Sequence, residues 1–316
     1  MPQNPPNHPP ARGPAKIAYL FRRSFQEWNE DQCPTLGAAL AYYTVFSLAP
    51  LVLVLLAVFG MVFGNSEVAR QKITEQLRYL VDPSAVKVIQ DIAANAAKPD
   101  ASGTAAVVGV LVALFGASGV FGQLQNSLNT IWGVKPKPGR GLWHFIRSRF
   151  LSFGMVAGVS FLLLVSLTFE SILNAFSAYL SAHYPGGDVL ALCVFVLFDL
   201  ALIVFLFAMI FRFLPDVELT WRDVLIGAGL TALLFYVGKF VLGLYLGSGA
   251  AGSAYGAASS LITLLLWIFY SAQIVLFGAE FTQVYANAYG SHVRPSADAV
   301  RVKRQEIEID SPKGSG

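Results

Sequence analysis

The last apolar stretch, Ser259 to Tyr289, constrains this chain more than any other. It reads SSLITLLLWIFYSAQIVLFGAEFTQVYANAY. A helix needs about 20 predominantly apolar residues to cross a bilayer core, and this run exceeds that. Yet it carries polar groups that lipid would not tolerate. Gln273, Glu280 and Asn287 are spaced by seven, and a heptad drifts only ~20° on an ideal helix, so they share one face. Tyr270, Gln283 and Val284 flank that face. Such a stripe should point into protein or into a watery cavity. Two readings stand. The residues glue helices together, with interhelical hydrogen bonds worth about 0.6–2 kcal/mol each. Alternatively they line a functional site, for which Glu280 is the candidate, because an ionisable group at membrane depth is costly.

The rest of the chain fits a membrane protein. Hydrophobic residues make up 55% and charged ones only 13%, against about 25% charged in soluble domains. The apolar residues come in blocks, which implies a polytopic, all-α chain. Cys33 and Cys193 fall on different spans near opposite faces and have no CxxC context, so no disulfide is expected. The first 14 residues (MPQNPPNHPPARGP) are Pro-rich, lack the apolar core of a signal peptide, and read as a disordered arm.

Residues 15–32 read as an amphipathic helix. Ile17, Leu20, Phe21, Phe25 and Trp28 recur at helical spacing among Lys16, Arg22 and Arg23. This suits a helix lying on the membrane surface or one docked on the spans. The transmembrane domain then covers 33–290. Its first span is Thr35 to Gly64. Gly37 and Ala41 form a small-xxx-small pair that permits close helix approach, and Pro50 should kink the middle. Residues 65–102 hold five basic and five acidic residues and read as an external helical hairpin. The second span, Thr104 to Trp132, ends in Gln123, Gln125, Asn126, Ser127, Asn129 and Thr130. So many polar groups require burial or water. The third span begins near Phe150 and continues past Ser166, Glu170, Asn174 and Ser177 as a projecting helix. The fourth, Val189 to Phe213, carries Asp199. A turn follows in which Thr220 and Asp223 form a weak capping box. The fifth, Val224 to Leu246, carries Lys239. The sixth is the stretch above, and the charged tail 291–316 reads as disordered and cytoplasmic.

Sidedness follows from Lys and Arg. Sixteen fall in the N-terminal arm, the 133–149 linker, the 212–222 turn and the tail, against five on the other side, all in the 65–102 hairpin. The positive-inside rule then places both termini in the cytoplasm with six spans. The hairpin lies outside, which would be the periplasm if the source is a diderm bacterium.

The intramembrane ionisable residues are Glu170, Asp199, Lys239 and Glu280. Asp199 and Lys239 differ in depth by about 7 Å at the helical rise, so an Asp199–Lys239 bridge is a cheap way to keep both charged. That bridge either fixes helix register or lines a substrate path. An enzyme is not expected. His8, His144, His183 and His292 have no metal-ligand spacing, and no nucleophile elbow or phosphate loop is present. No metal, cofactor or nucleic-acid partner is implied.

Three segments carry a resemblance: CPTLGAALAYYTVFSLAPLVLVLLAVFG, the pattern ending in NSLNTIWGV, and SLITLLLWIFYSAQIVLFGAEFTQVYA. In this order they resemble the YihY/BrkB family, over about residues 15–290. The matching positions are Gly37, Ala41, Tyr42, Ser47, Pro50, Trp132, Trp267, Tyr270, Gln273 and Glu280. The resemblance implies a six-helix bacterial inner-membrane protein with cytoplasmic termini and no settled activity, for which transport, including of lipid, has been suggested. The family's older ribonuclease label finds no metal site here. The leading expectation is a transporter whose interior includes Gln123, Asn126, Asp199, Lys239 and Glu280, with membrane lipids as partners. Basic Lys135, Lys137, Arg140, Arg147 and Arg149 attract anionic headgroups or serve only topology. The alternative is a scaffold binding an envelope partner through 65–102. A membrane hydrolase is the third reading, and a homo-oligomer stays open.

Overall fold

The computed structural model describes residues 13–63, 71, 116, 119–137, 150–151, 153–155, 157–166, 168–169, 172–173, 176, 187–247, 259–291 and 293–302. The expected 65–102 hairpin lies outside these residues apart from Gln71, as do Glu170, Asn174, Ser177, Arg140, Arg147 and Arg149.

Helix α1 (Pro14–Glu30) opens with proline at a first-turn position, where no backbone N–H is missed. It ends where the Asp31 amide donates to the Glu27 carbonyl at 2.8 Å, and Gln32 takes a left-handed φ of 54°. That turn leads straight into α2 (Cys33–Phe63), which remains helical through Pro50. Next comes a helix over 119–131, α3, followed by strand β1 (Val134–Pro136). An apolar helix, α4 (Phe153–Ser166), belongs to the third expected span. Helices α5 (Gly187–Phe213) and α6 (Trp221–Gly247) form an antiparallel pair around β2 (Val217–Glu218). The last helix, α7 (Ser259–Tyr289), is followed by β3 (Arg294–Pro295) and β4 (Ala299–Arg301).

Among the described residues, Leu192–Phe213, Trp221–Leu244 and Leu261–Tyr289 are long and apolar enough to cross a membrane. Helix α7 is the hub, packing against α1, α2 and α6. Leu20 of α1 is buried among Phe281, Val284 and Tyr285, and Phe21 approaches Phe281 at 5.6 Å between ring centroids. The α1 helix is thus docked on the bundle, while Ile17 and Phe25 remain exposed.

The contact between α6 and α7 rests on two short motifs, GAGLT at 227–231 and GAEFT at 278–282. Running antiparallel, they interlock. A Cβ placed on Gly278 would stand 1.9 Å from Thr231 Oγ1, and one on Gly227 would stand 1.8 Å from Thr282 Oγ1. Each threonine hydroxyl donates back to the glycine carbonyl of its own helix, Thr231 to Gly227 at 2.8 Å and Thr282 to Gly278 at 2.6 Å. Small residues let the backbones approach, and dispersion across the close seam holds them there.

The described residues are mostly helical, as expected of an all-α chain, and four short strands are added to the helices. Strand β1 pairs antiparallel with β4, and β2 with β3. The tail expected to be disordered from Ser291 is ordered over 293–302. Val293 and Ala299 are buried while Arg294 and Arg301 point outward. Strands of two or three residues, two of them containing proline, are too short to display an alternating pattern. They form because the chain segments that meet at one end of the bundle still carry backbone donors and acceptors to satisfy. The largest fully buried side chains, including Trp132, Phe211, Leu128, Ile131 and Leu214, gather at that same end.

Candidate functional site

Cys33 is the first residue of α2, and it touches the polar stripe of α7 twice. Its thiol donates to Glu280 Oε1 at 3.4 Å, and its carbonyl accepts from Gln273 Nε2 at 3.4 Å. Gly37, one turn further along, makes room for Gln273, whose Nε2 would lie 1.9 Å from a Cβ there. The close-approach role expected of Gly37 therefore has a specific object, and Ala41 beyond it is buried. Glu280 is fully buried, and its Oε2 has no hydrogen-bond partner among the described residues. The same holds for Gln273 Oε1. The charges of Asp31, Glu27 and Glu30 act on Glu280 from the end of α1 and the turn after it. Glu27 itself is bonded to Arg23. Burial raises the Glu27 carboxyl above its usual range, and Arg23 opposes that shift.

Two members of the heptad stripe thus converge on Cys33. The third does not. Asn287 accepts from the Val293 amide at 3.4 Å and so ends the helix by holding the tail. Residue pattern alone offers no reason to single out Cys33 beyond disulfide arithmetic. Its position one residue before Pro34, at the start of a span, is the signal that it sits at a helix end.

A second polar group lies between α5 and α6. The Tyr236 hydroxyl donates to Asp199 Oδ2. Lys239, one turn further on, feels the Asp199 charge but makes no direct ion pair with it. The Asp199–Lys239 bridge that their similar depth allows is thus not formed. Tyr236 is nearer in register and takes the carboxylate, leaving the ammonium without an ion-pair partner among the described residues. All three side chains are half-buried.

The amides closing α3 separate into two groups. Gln123 donates to Ser127 at 3.4 Å within its own helix, and Asn126 is exposed, so Asn126 is not part of a packed interior. Gln125 and Asn129 are buried. Asn129 donates to Asp216 Oδ2 at 2.9 Å and accepts from the Asp216 amide at 2.8 Å, tying α3 to the α5–α6 turn. The Asp216 carbonyl in turn accepts from the Ser296 amide at 2.9 Å. Gln283 of α7 donates to the Ile131 carbonyl at 2.7 Å. The capping box is present, with Thr220 Oγ1 donating to Asp223 at 2.8 Å, and Asp223 also receives the Ser291 amide and hydroxyl at 3.0 and 2.7 Å. Lys137 donates to the Ala297 carbonyl at 2.7 Å, which gives one of the basic linker residues a structural task.

A helical bundle with long apolar helices and ionisable groups held between them defines an integral membrane protein. The chain belongs to the BrkB family: the family model described as Virulence factor BrkB matches residues 24–303. It is similar to a UPF0761 membrane protein of Methylibium petroleiphilum, 30% identical over 273 residues that make up 85% of this chain and 62% of the relative. It is also similar to UPF0761 membrane proteins of Alcanivorax borkumensis, 28% identical over 84% of this chain and 60% of the relative, and of Tolumonas auensis, 28% identical over 84% and 83%. The chain thus spans about three fifths of the length of the first two relatives. No solved structure matches.

Proposed function

We propose that this protein carries a lipid or a similar amphiphile at or across the bacterial inner membrane, which it crosses six times. In this reading the end of the bundle that gathers α1, β1 to β4 and the tail faces the cytoplasm. Its excess of Lys and Arg supports that orientation.

One observation carries the transport reading. Asp199 and Lys239 sit half-buried in adjacent spans, close enough to interact yet not bridged. A register-fixing pair would be closed, because two opposite charges in a poorly solvated place gain most from direct contact. A carboxylate oriented by Tyr236 beside an open ammonium matches a headgroup that carries both an anionic and a cationic group. The apolar helix surface around them suits acyl tails.

The test is native mass spectrometry of protein released gently from its own membranes. A stoichiometric lipid is expected on the wild type and should be lost in an Asp199→Asn, Lys239→Gln double variant present at normal membrane levels. Equal lipid retention by both proteins would defeat the reading and return attention to a scaffold that binds a partner through residues 65–102.

A further inference from the structure

The helices α1, α2 and α7 meet with several buried polar atoms unpaired among the described residues: Ser24 Oγ and Trp28 Nε1 on α1, and the Gln273 Oε1 and Glu280 Oε2 acceptors on α7. Glu280 has one oxygen on the Cys33 thiol, a weak donor, and the other on nothing among the described residues. Gln273 turns its Nε2 to the Cys33 carbonyl and leaves its Oε1, also buried, without a partner. The charged groups that act on Glu280 are Asp31 from the turn and Glu27 and Glu30 from α1, and none of them is a cation; the Cys33 thiol of α2 adds only a hydrogen bond. Arg23, itself partly buried, is engaged with Glu27 within α1. A buried carboxylate costs several kcal/mol unless something positive or a set of donors meets it, and an orphaned buried acceptor calls for an explanation.

We propose that Glu280 and Gln273 form a binding site for a single small monovalent cation, with sodium as the representative ion. The carboxylate supplies one negative charge, Gln273 Oε1 and the Cys33 carbonyl supply neutral oxygens, and the acidic end of α1 makes the approach electronegative. Hard cations prefer such oxygen sets to thiols. A single ligand charge inside a dry site balances one positive charge and leaves a divalent ion over-charged. The site deepens the transport reading by supplying an ion that could drive it. Its binding can nevertheless be measured without cargo, so the two ideas fail independently.

The experiment is thermal unfolding of the full chain in mild detergent, in sodium chloride against choline chloride at equal ionic strength. With sodium about a hundredfold above its Kd, the wild-type Tm should rise by about 5–10 °C. Glu280→Gln removes the charge at constant shape. It should unfold in choline no earlier than the wild type and gain nothing from sodium. Should that variant fail to fold, Gln273→Met provides a second reading, with an expected loss of at least about tenfold in sodium affinity, worth 1.4 kcal/mol. If sodium and choline leave the wild type equally stable, no such site exists. If stability follows pH through Glu280 with no preference for sodium, the occupant is a proton and the proposal is overturned.

Discussion

Helix α7 has two polar faces, and they are built on opposite principles. Towards α6 it presents Gly278 and Thr282, and the Thr282 hydroxyl and the Thr231 hydroxyl facing it are each satisfied within their own helix while the backbones close on each other. Towards α2 and α1 it presents Gln273 and Glu280, whose side chains reach outward to Cys33 and still leave two buried oxygens unmatched. Glu280 lies inside the GAEFT motif, so two residues of one turn serve both faces. The first face is designed to hold, since polar atoms that bond locally ask nothing of a partner. The second keeps an electrostatic demand that packing alone does not meet. Sites that bind charge must carry such a demand, and folding cores avoid it.

Filling the closed face should break the protein most severely. Gly278→Val places carbon where Thr231 Oγ1 already stands. Overpacking costs about 1–3 kcal/mol. Here it falls on the whole Thr231 side chain, Cβ included, which cannot turn aside without moving its helix, so a loss near the top of that range is expected, or roughly 6–12 °C in Tm. The direct check is a swap. Gly278→Ala together with Thr231→Gly moves bulk from one helix to the other and should recover more stability than either single change predicts. Additive losses would mean that the two positions do not interlock, and the contrast between the faces would lose its first term.

Different parts of this arrangement were legible to different degrees. Apolar length alone announced the membrane helices, because hydrocarbon imposes a minimum span. The heptad of Gln273, Glu280 and Asn287 marked the right helix and one right face. Spacing could not tell that Asn287 would serve the tail, because that depends on where residue 293 returns. The Gly–Thr interlock was harder to see. GAGLT and GAEFT look like ordinary small-residue motifs, and their meaning lies in being antiparallel neighbours. Similar depth leaves open whether Asp199 and Lys239 touch, and a tyrosine hydroxyl at the preceding turn is better placed for the carboxylate. The strands were invisible, since they are fragments that gain order only when the bundle ends gather them.

A smaller effect tests whether satisfied polar contacts elsewhere behave like the closed face. Asn129 is buried and bonded twice to Asp216, once through each atom of its amide. Asn129→Leu keeps the branching of the side chain but takes an acceptor from the Asp216 amide and a donor from its carboxylate. A buried group left unsatisfied costs about 1–3 kcal/mol. The Asp216 carbonyl also holds Ser296, so the damage should spread to the strands. Hydrogen exchange at residues 294–301 should accelerate in the variant, while exchange in α6 and α7 changes little. Uniform acceleration across the bundle would show that the strand layer is not a separable unit.

The smallest expected effect lies at the rim of the open face. Arg23 is bonded to Glu27 and lies 3.9 Å from Glu30, and both partners are at least partly exposed. Such pairs contribute about 0–1 kcal/mol, so Arg23→Gln should lower Tm by only a degree or two at neutral pH. The pH dependence is more telling. Burial lifts the Glu27 carboxyl above its usual value and Arg23 pulls it back. A carboxyl raised in the folded state favours folding while protonated, and that contribution disappears as pH rises through its folded value. Removing Arg23 lifts the value further, so the variant should lose stability over a range extending to higher pH than the wild type. The difference between the two proteins should therefore be least in acid and grow towards neutrality. A constant difference at every pH would mean that Arg23 acts on α1 through packing, and that the acids around Glu280 are not electrostatically coupled to the helix surface.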